Sequence, residues 1–290
     1  MKVLAIGGSG HVGALVTRAL LKRGVEVRIF ARKDGAPNLA GVEVAIGDLL
    51  DPASVESAMR GVDKLYLLNA VSPDELTQGL IAYDLAKRLR LRQVVYHSVY
   101  RADAFPDVPH FAAKAAIETA LKAFDTPFTI LRPSYFFQND AGMEDAIVKG
   151  GVYPSPLGVL GVSAVDTRDI AEAAAIVLTT DGHAGKSYNI NGPEALTGAR
   201  VASIWSRLLD RPVRYGGHDL DAYQATMARH APAWSAFDMR MMFQAYVEHG
   251  FSASAADLAT LTALLGRPPR TYEAFARETL AAWSVPAPAS

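Results

Sequence analysis

The chain has 290 residues, half hydrophobic and a fifth charged, with a formal net charge of −1. That balance builds a packed core and lacks the cation excess that nucleic acid or an anionic membrane would attract. The absence of cysteine excludes disulfides, a thiol nucleophile and a cysteine-held metal. No apolar run approaches the length of a membrane span. Met1 leads straight into an apolar strand that glycines interrupt, so no signal peptide is expected, and the expected location is cytoplasmic.

The first thirteen residues organise the rest. Val3 to Ile6 is a short apolar run that reads as a strand buried on both faces. Glycines follow at Gly7, Gly10 and Gly13, and His11 to Arg23 carries apolar residues at helical spacing. Strand, glycine turn and helix together are the context of dinucleotide binding. Gly7 would allow the tight turn, Gly10 would let backbone approach a pyrophosphate, and Gly13 would let helix and strand pack closely. Ser9, His11 and Val12 belong to the same phosphate-facing turn, at a helix N-terminus with free N–H groups.

Val25 to Phe30 is a second strand, closing in Ala31-Arg32-Lys33. An acidic residue at this strand end would bind the ribose 2′-hydroxyl of NAD, and here Phe30 is followed by the cations Arg32 and Lys33. A cation pair suits a 2′-phosphate, so NADP(H) is favoured over NAD(H). Val42 to Ile46 is the third strand; Asp48 and Leu49 follow it where adenine would lie, and Asp51-Pro52 caps and starts a helix. Lys64 to Leu68 is the fourth strand, with Asn69 and Ala70 at its end. A helix runs from Ser72-Pro73-Asp74-Glu75 to about Arg90, and the fifth strand, Gln93 to Tyr96, ends at His97-Ser98-Val99-Tyr100. Pro109 to Phe124 is a helix with His110 and Lys114 on one face. Pro127 to Leu131 is the sixth strand, ended by Arg132-Pro133-Ser134.

Alternating strands and helices of this kind specify an α/β fold, a doubly wound parallel sheet of the Rossmann type, with ligands beyond the carboxyl ends of the strands. Gly7, Arg32, Asp48, Asn69 and Ser98 all occupy such ends. Residues 1–150 are expected to form the dinucleotide-binding domain, with 160–190 returning to it. A smaller, mostly helical substrate lobe would span 191–283, and 284–290 would be a tail. Gln138 to Gly158 reads as a loop over the substrate. Met239, Met241 and Met242, with Tyr223, Trp234, Phe237 and Phe243, are candidates for an adaptable apolar pocket.

The chain resembles the NmrA-like branch of the atypical short-chain dehydrogenases. The matching segments are Gly7-Gly8-Ser9-Gly10-His11-Val12-Gly13, Gly47-Asp48-Leu49, the Lys114 helix, Leu131-Arg132-Pro133-Ser134 with Asn139, and Val165-Asp166-Thr167-Arg168-Asp169-Ile170-Ala171. Asn191-Gly192-Pro193-Glu194 and Leu264-Leu265-Gly266-Arg267-Pro268-Pro269-Arg270 extend the match through nearly the whole chain. The resemblance implies an NAD(P)H-dependent oxidoreductase that reduces a quinone, dye or unsaturated aromatic acceptor. The alternative it implies is the family's other class, proteins that sense NADP(H) and regulate a protein partner without turnover. Folds of this kind also pair through a helical face, so a homodimer is an expectation.

The wider superfamily uses a Tyr-x-x-x-Lys pair on this helix. Here the lysine is kept and the tyrosine is absent, in His110-Phe111-Ala112-Ala113-Lys114. By resemblance, Lys114 binds the nicotinamide ribose, in a site bordered by Asn69, Ser98 and the Pro133-Ser134 turn. His110 stands at the tyrosine position, where a reference pKa of about 6.5 suits proton donation; packing or capping at the helix start is the alternative, and both stay open. Ser98, Tyr100, His97 and Tyr135 are the other candidates for handling a proton. The seven histidines show no metal-binding spacing, and no triphosphate loop or nucleophile elbow is present.

Overall fold

The computed structural model describes residues 1–32, 41–123 and 126–283. Lys33, one of the two cations expected at the 2′-phosphate, lies outside these described residues, as does the tail from 284. Seven parallel strands form the main sheet: β1 (Lys2–Ile6), β2 (Glu26–Ala31), β3 (Val42–Ile46), β4 (Lys64–Leu67), β5 (Gln93–His97), β6 (Phe128–Pro133) and β8 (Lys186–Ile190). The short β7 (Val152–Tyr153) and β9 (Arg214–Tyr215) pair with each other elsewhere. The sheet order is β3-β2-β1-β4-β5-β6-β8, so the chain winds outward on one side of β1 and then on the other. The reversal lies between β1 and β4, where such sheets open a ligand crevice beyond their strand ends.

Apolar runs put the central strands β1, β4 and β5 inside. Val3, Leu4, Ala5, Leu65, Tyr66, Leu67, Val94, Val95 and Tyr96 have no exposed surface. Alternate residues of the strands, including Leu4, Ile6, Phe30, Leu65, Leu67, Val94 and Tyr96, share one core with residues of α2 (Pro52–Met59), α3 (Glu75–Arg88) and α4 (Pro109–Lys122). On the other side, α1 (His11–Leu21) packs on α5 (Thr167–Thr179). Asp51 caps α2 by accepting from the Ala53 N–H at 3.1 Å, with Pro52 in its first turn, as the sequence led us to expect.

The chain divides into two compact units. The first is Met1–Pro133 with Thr167–Ile190, and the second is Ser134–Asp166 with the chain from Asn191 onward. The second unit therefore begins at Ser134, earlier than the boundary near 150 that the sequence indicated. The expected substrate loop is not structureless: it contains a 3₁₀ turn (Phe137–Gly142), a π-type turn (Asp145–Lys149) and β7. The helices of the second unit are α6 (Gly198–Leu209), α7 (Leu220–Met227), α8 (Ala233–His249), α9 (Ala255–Leu265) and α10 (Tyr272–Trp283). Its centre is polar as well as aromatic. The Trp205 indole donates to the Tyr272 hydroxyl at 3.0 Å, which in turn donates to Asp140 at 2.6 Å. The Tyr153 hydroxyl donates to the other Asp140 oxygen at 3.3 Å. Phe243 is buried against Tyr223, Tyr135 and Tyr246, whereas Trp234 and Phe237, read as pocket candidates, are exposed. Among the described residues no helix is long and apolar enough to cross a membrane.

Candidate functional site

Each glycine of the opening turn meets a different constraint. Gly7 has φ +79°, and a Cβ there would stand 2.4 Å from the Leu68 carbonyl oxygen, where the chain leaves β4. A Cβ on Gly13 would lie 2.0 Å from the Gly7 oxygen, so this residue sets how closely α1 packs on its own turn. Gly10 differs: its Cβ would meet nothing nearer than the Gly7 oxygen at 3.4 Å. The structure is closed at Gly7 and Gly13 and open at Gly10. Gly10 also caps α1 without any side-chain bond, which leaves the first helical N–H groups for a ligand. Ser9, Gly10 and His11 are exposed, Val12 is buried, and His11 Nε2 lies 3.3 Å from Thr167 Oγ1.

At the neighbouring strand ends the expected residues take distinct roles. Phe30 is buried, with its ring packed so close to Gly47 that a Cβ there would lie 2.6 Å from it, so an apolar ring closes this strand end among the described residues. Arg32 is exposed just beyond β2. Asp48 accepts the Leu50 N–H at 2.9 Å and holds its own turn, and Leu49 packs against the core. Ala70 is exposed. Asn69 is buried, yet neither its amide nitrogen nor its amide oxygen has a hydrogen-bond partner. Leaving a buried amide unpaired costs about 1–3 kcal/mol, so a polar ligand is the expected complement of this side chain.

Lys114 is buried on α4, and its ammonium donates to Glu75 at 2.5 Å. It also lies 5.9 Å from the centre of the Tyr96 ring. Glu75 opens α3 and is buried; the sequence reading passed over it, because a glutamate in a first helical turn reads as a dipole charge. Helix packing brings the two together. A Cβ at Gly79 would stand 2.4 Å from Ile117 Cδ1, so the glycine lets the Ile117 side chain of α4 pack directly on α3 one turn further on.

The proton-handling candidates separate by environment. His97 is buried with Nδ1 2.9 Å from the Tyr66 hydroxyl; burial and then the Lys114 charge push its pKa down to about 3. The Ser98 hydroxyl donates to Glu118 Oε1 at 2.6 Å. Glu118 is held on its other sides by Arg132 and by Lys122 at 3.1 Å. Burial opposes its charge, but the bonds from Arg132 and Ser98 prevail and hold its carboxyl below the usual range. His110 is buried in the first turn of α4, its ring edge-on to Phe111 at 4.7 Å. Tyr100 is buried and its N–H donates to the Pro133 carbonyl at 2.8 Å. Ser134, the next residue, is buried with its hydroxyl unpartnered. Tyr135 stands edge-on to Phe243 in the second unit, where burial pushes its phenol up.

Gly10, Asn69 and Lys114 each offer a feature that suits a dinucleotide: open backbone for phosphate, an unpaired amide and a buried cation. The comparisons lie in the same direction. An NAD(P)H azoreductase of Xenophilus azovorans is 31% identical over 286 residues, covering 97% of this chain and 99% of its own. The (4-alkanoyl-5-oxo-2,5-dihydrofuran-3-yl)methyl phosphate reductase of Streptomyces griseus is 31% identical over 281 residues, 95% of this chain and 97% of its own. The Citrobacter sp. triphenylmethane reductase, solved with NADP(H), matches with a TM-score of 0.83 and 25% identity over 93% of this chain and 98% of its own. A glycine turn of this geometry, a lysine kept without its tyrosine, and a family model matching residues 1–276 agree: the chain belongs to the NmrA-like family.

Proposed function

We propose that the chain is an NADPH-dependent oxidoreductase that reduces a small aromatic or conjugated acceptor of the quinone, dye or enone class. The observation that carries this reading is the opening turn, closed at Gly7 and Gly13 and open only at Gly10, where a pyrophosphate needs space. The α1 N-terminus would bind the pyrophosphate, Arg32 the 2′-phosphate, Asn69 a polar edge of the cofactor, and Lys114 the nicotinamide ribose. Bound NADPH supplies the hydride. The reductases of an azo compound, an oxo-dihydrofuran and a triphenylmethane dye support an acceptor whose developing charge is delocalised. The second unit is taken as the acceptor-binding lobe, and the cytoplasm as the place of action.

The test is NADPH oxidation against a panel of quinones, azo and triphenylmethane dyes and conjugated enones. Turnover with at least one is expected, sharply reduced in Lys114→Ala. No turnover across the panel, with NADP(H)-dependent capture of a protein partner, would assign the chain to the family's regulatory class instead. Light scattering tests the expected homodimer.

A further inference from the structure

The pair Glu75–Lys114 is the least expected feature of the first unit. Both side chains are buried, at 1% and 6% exposure, and they come from helices 39 residues apart in sequence. Stability alone gives little reason for such a pair, because desolvating two charges offsets most of their attraction and apolar replacements are often neutral. Three elements surround the ammonium: α3 contributes Glu75, β5 contributes the Tyr96 ring, and α4 carries Lys114 itself. The carboxylate is fixed at the N-terminus of α3, where the helix dipole favours negative charge. The same helix follows the strand end that carries Asn69, so one connection links the unpaired amide to the residue that holds the lysine.

Resting on the assignment of Lys114 to the ribose, we propose that Glu75 is its positioning residue: it holds the ammonium in place before the cofactor arrives, so that Lys114 enters binding already aimed. A lysine side chain has four rotatable bonds and loses most of its rotamer freedom when fixed. With Glu75 in place, that ordering is complete in the free protein, and cofactor affinity is correspondingly higher.

The experiment is a double-mutant cycle read by NADPH affinity, from the fluorescence of the bound nucleotide, with thermal unfolding measured alongside. Glu75→Gln is expected to weaken NADPH binding about tenfold, and Glu75→Asp, which keeps the charge, to recover most of it. KM for NADPH should rise more than kcat falls. In a Lys114→Met background, Glu75→Gln should add no more than about twofold, because the residue it acts through is gone. Should Glu75→Gln fail to fold with its lysine left unpaired, the double variant E75Q/K114M, which removes both charges, still compares with K114M. E75D then supplies the single-site loss, expected at a few-fold. Equal NADPH affinity in Glu75→Gln and the unaltered protein would overturn the proposal. So would an undiminished tenfold loss in the Lys114→Met background, since Glu75 would then act through the fold. Unchanged affinity in Lys114→Met alone would remove the ribose assignment itself, and the proposal with it.

Discussion

Replacing Gly10 with valine should abolish NADPH binding in a protein that stays folded, and replacing Gly13 with alanine should damage the fold itself. Gly10 has φ −76° and ψ 172°, extended backbone that valine adopts readily. A Cβ there meets nothing nearer than the Gly7 oxygen at 3.4 Å. The folding cost is therefore that of a poorer helix cap, no more than about 1 kcal/mol. The same side chain fills the space over the α1 N-terminus. Losing two charge-assisted hydrogen bonds there, at about 1.5–3 kcal/mol each, weakens binding by over about a hundredfold. At Gly13 even the smallest side chain puts Cβ 2.0 Å from the Gly7 oxygen and 2.6 Å from the Gly7 carbonyl carbon. These are backbone atoms that cannot swing aside, so α1 must move off its turn at a cost of about 1–3 kcal/mol or more. Circular dichroism and thermal melting report the fold, and calorimetric titration with NADPH reports the site. A folded Gly10→Val protein that binds NADPH within a few-fold of the unaltered one would show that the phosphates lie elsewhere. A Gly13→Ala protein as stable as the parent would refute the packing argument.

Two further expectations concern charge. Arg32→Ala should narrow the preference for NADPH over NADH by about 1–3 kcal/mol, and equal affinity for the two cofactors in the unaltered protein would remove the basis for that assignment. Asp140 is buried, and burial, opposed by the bonds from Tyr272 and Tyr153, raises its pKa from 3.8 to about 7. Between those values the folded state holds a proton that the unfolded state has released, so stability from this group falls as pH rises from about 4 to 7. The unaltered protein should therefore gain up to about 4 kcal/mol relative to Asp140→Asn on acidification over that window; denaturant unfolding curves showing a pH-independent difference would refute it.

Local periodicity made the sheet legible. Val3 to Ile6, the glycine turn and the α1 pattern lie within about twenty residues, and the strands that follow are short apolar or alternating runs between turn residues, so short-range sequence carries their arrangement. Phe30 was legible for the same reason, as an apolar residue where a carboxylate would mark NAD. The commitments of the site residues were not. That Ser98 gives its proton to Glu118, that Glu118 is held by Arg132, and that Lys114 is paired with Glu75 each depend on contacts between separate elements. Spacing along the chain carries no trace of them. The boundary at Ser134 escaped for a related reason. The segment 134–166 has only short turns and a two-residue strand, with no helical or strand period long enough to show which unit it joins.

The geometry also bears on where the acceptor's proton comes from. His97, with its pKa pushed down to about 3, is neutral near pH 7 and bonded to Tyr66. The one proton of Ser98 is directed at a carboxylate that Arg132 and Lys122 keep charged. Both groups are committed to protein partners, and the Ser98, Glu118 and Arg132 bonds tie α4 to the ends of β5 and β6. Hydride addition to a quinone, a dye or an enone leaves charge spread over a conjugated system, which water can protonate without a dedicated acid. Loss of a working general acid typically lowers a rate by about 10²–10⁴-fold. Ser98→Ala should instead lower kcat by less than about tenfold, because Glu118 retains its two cations and α4 its place. His110→Ala should likewise cost less than Lys114→Ala, as suits a residue packed in the first turn of α4. Steady-state rates with a saturating acceptor, taken across pH for each variant, decide the matter. A loss of about a hundredfold or more in Ser98→Ala, with NADPH affinity and thermal stability unchanged, would return the serine to the chemistry and refute this account of the proton.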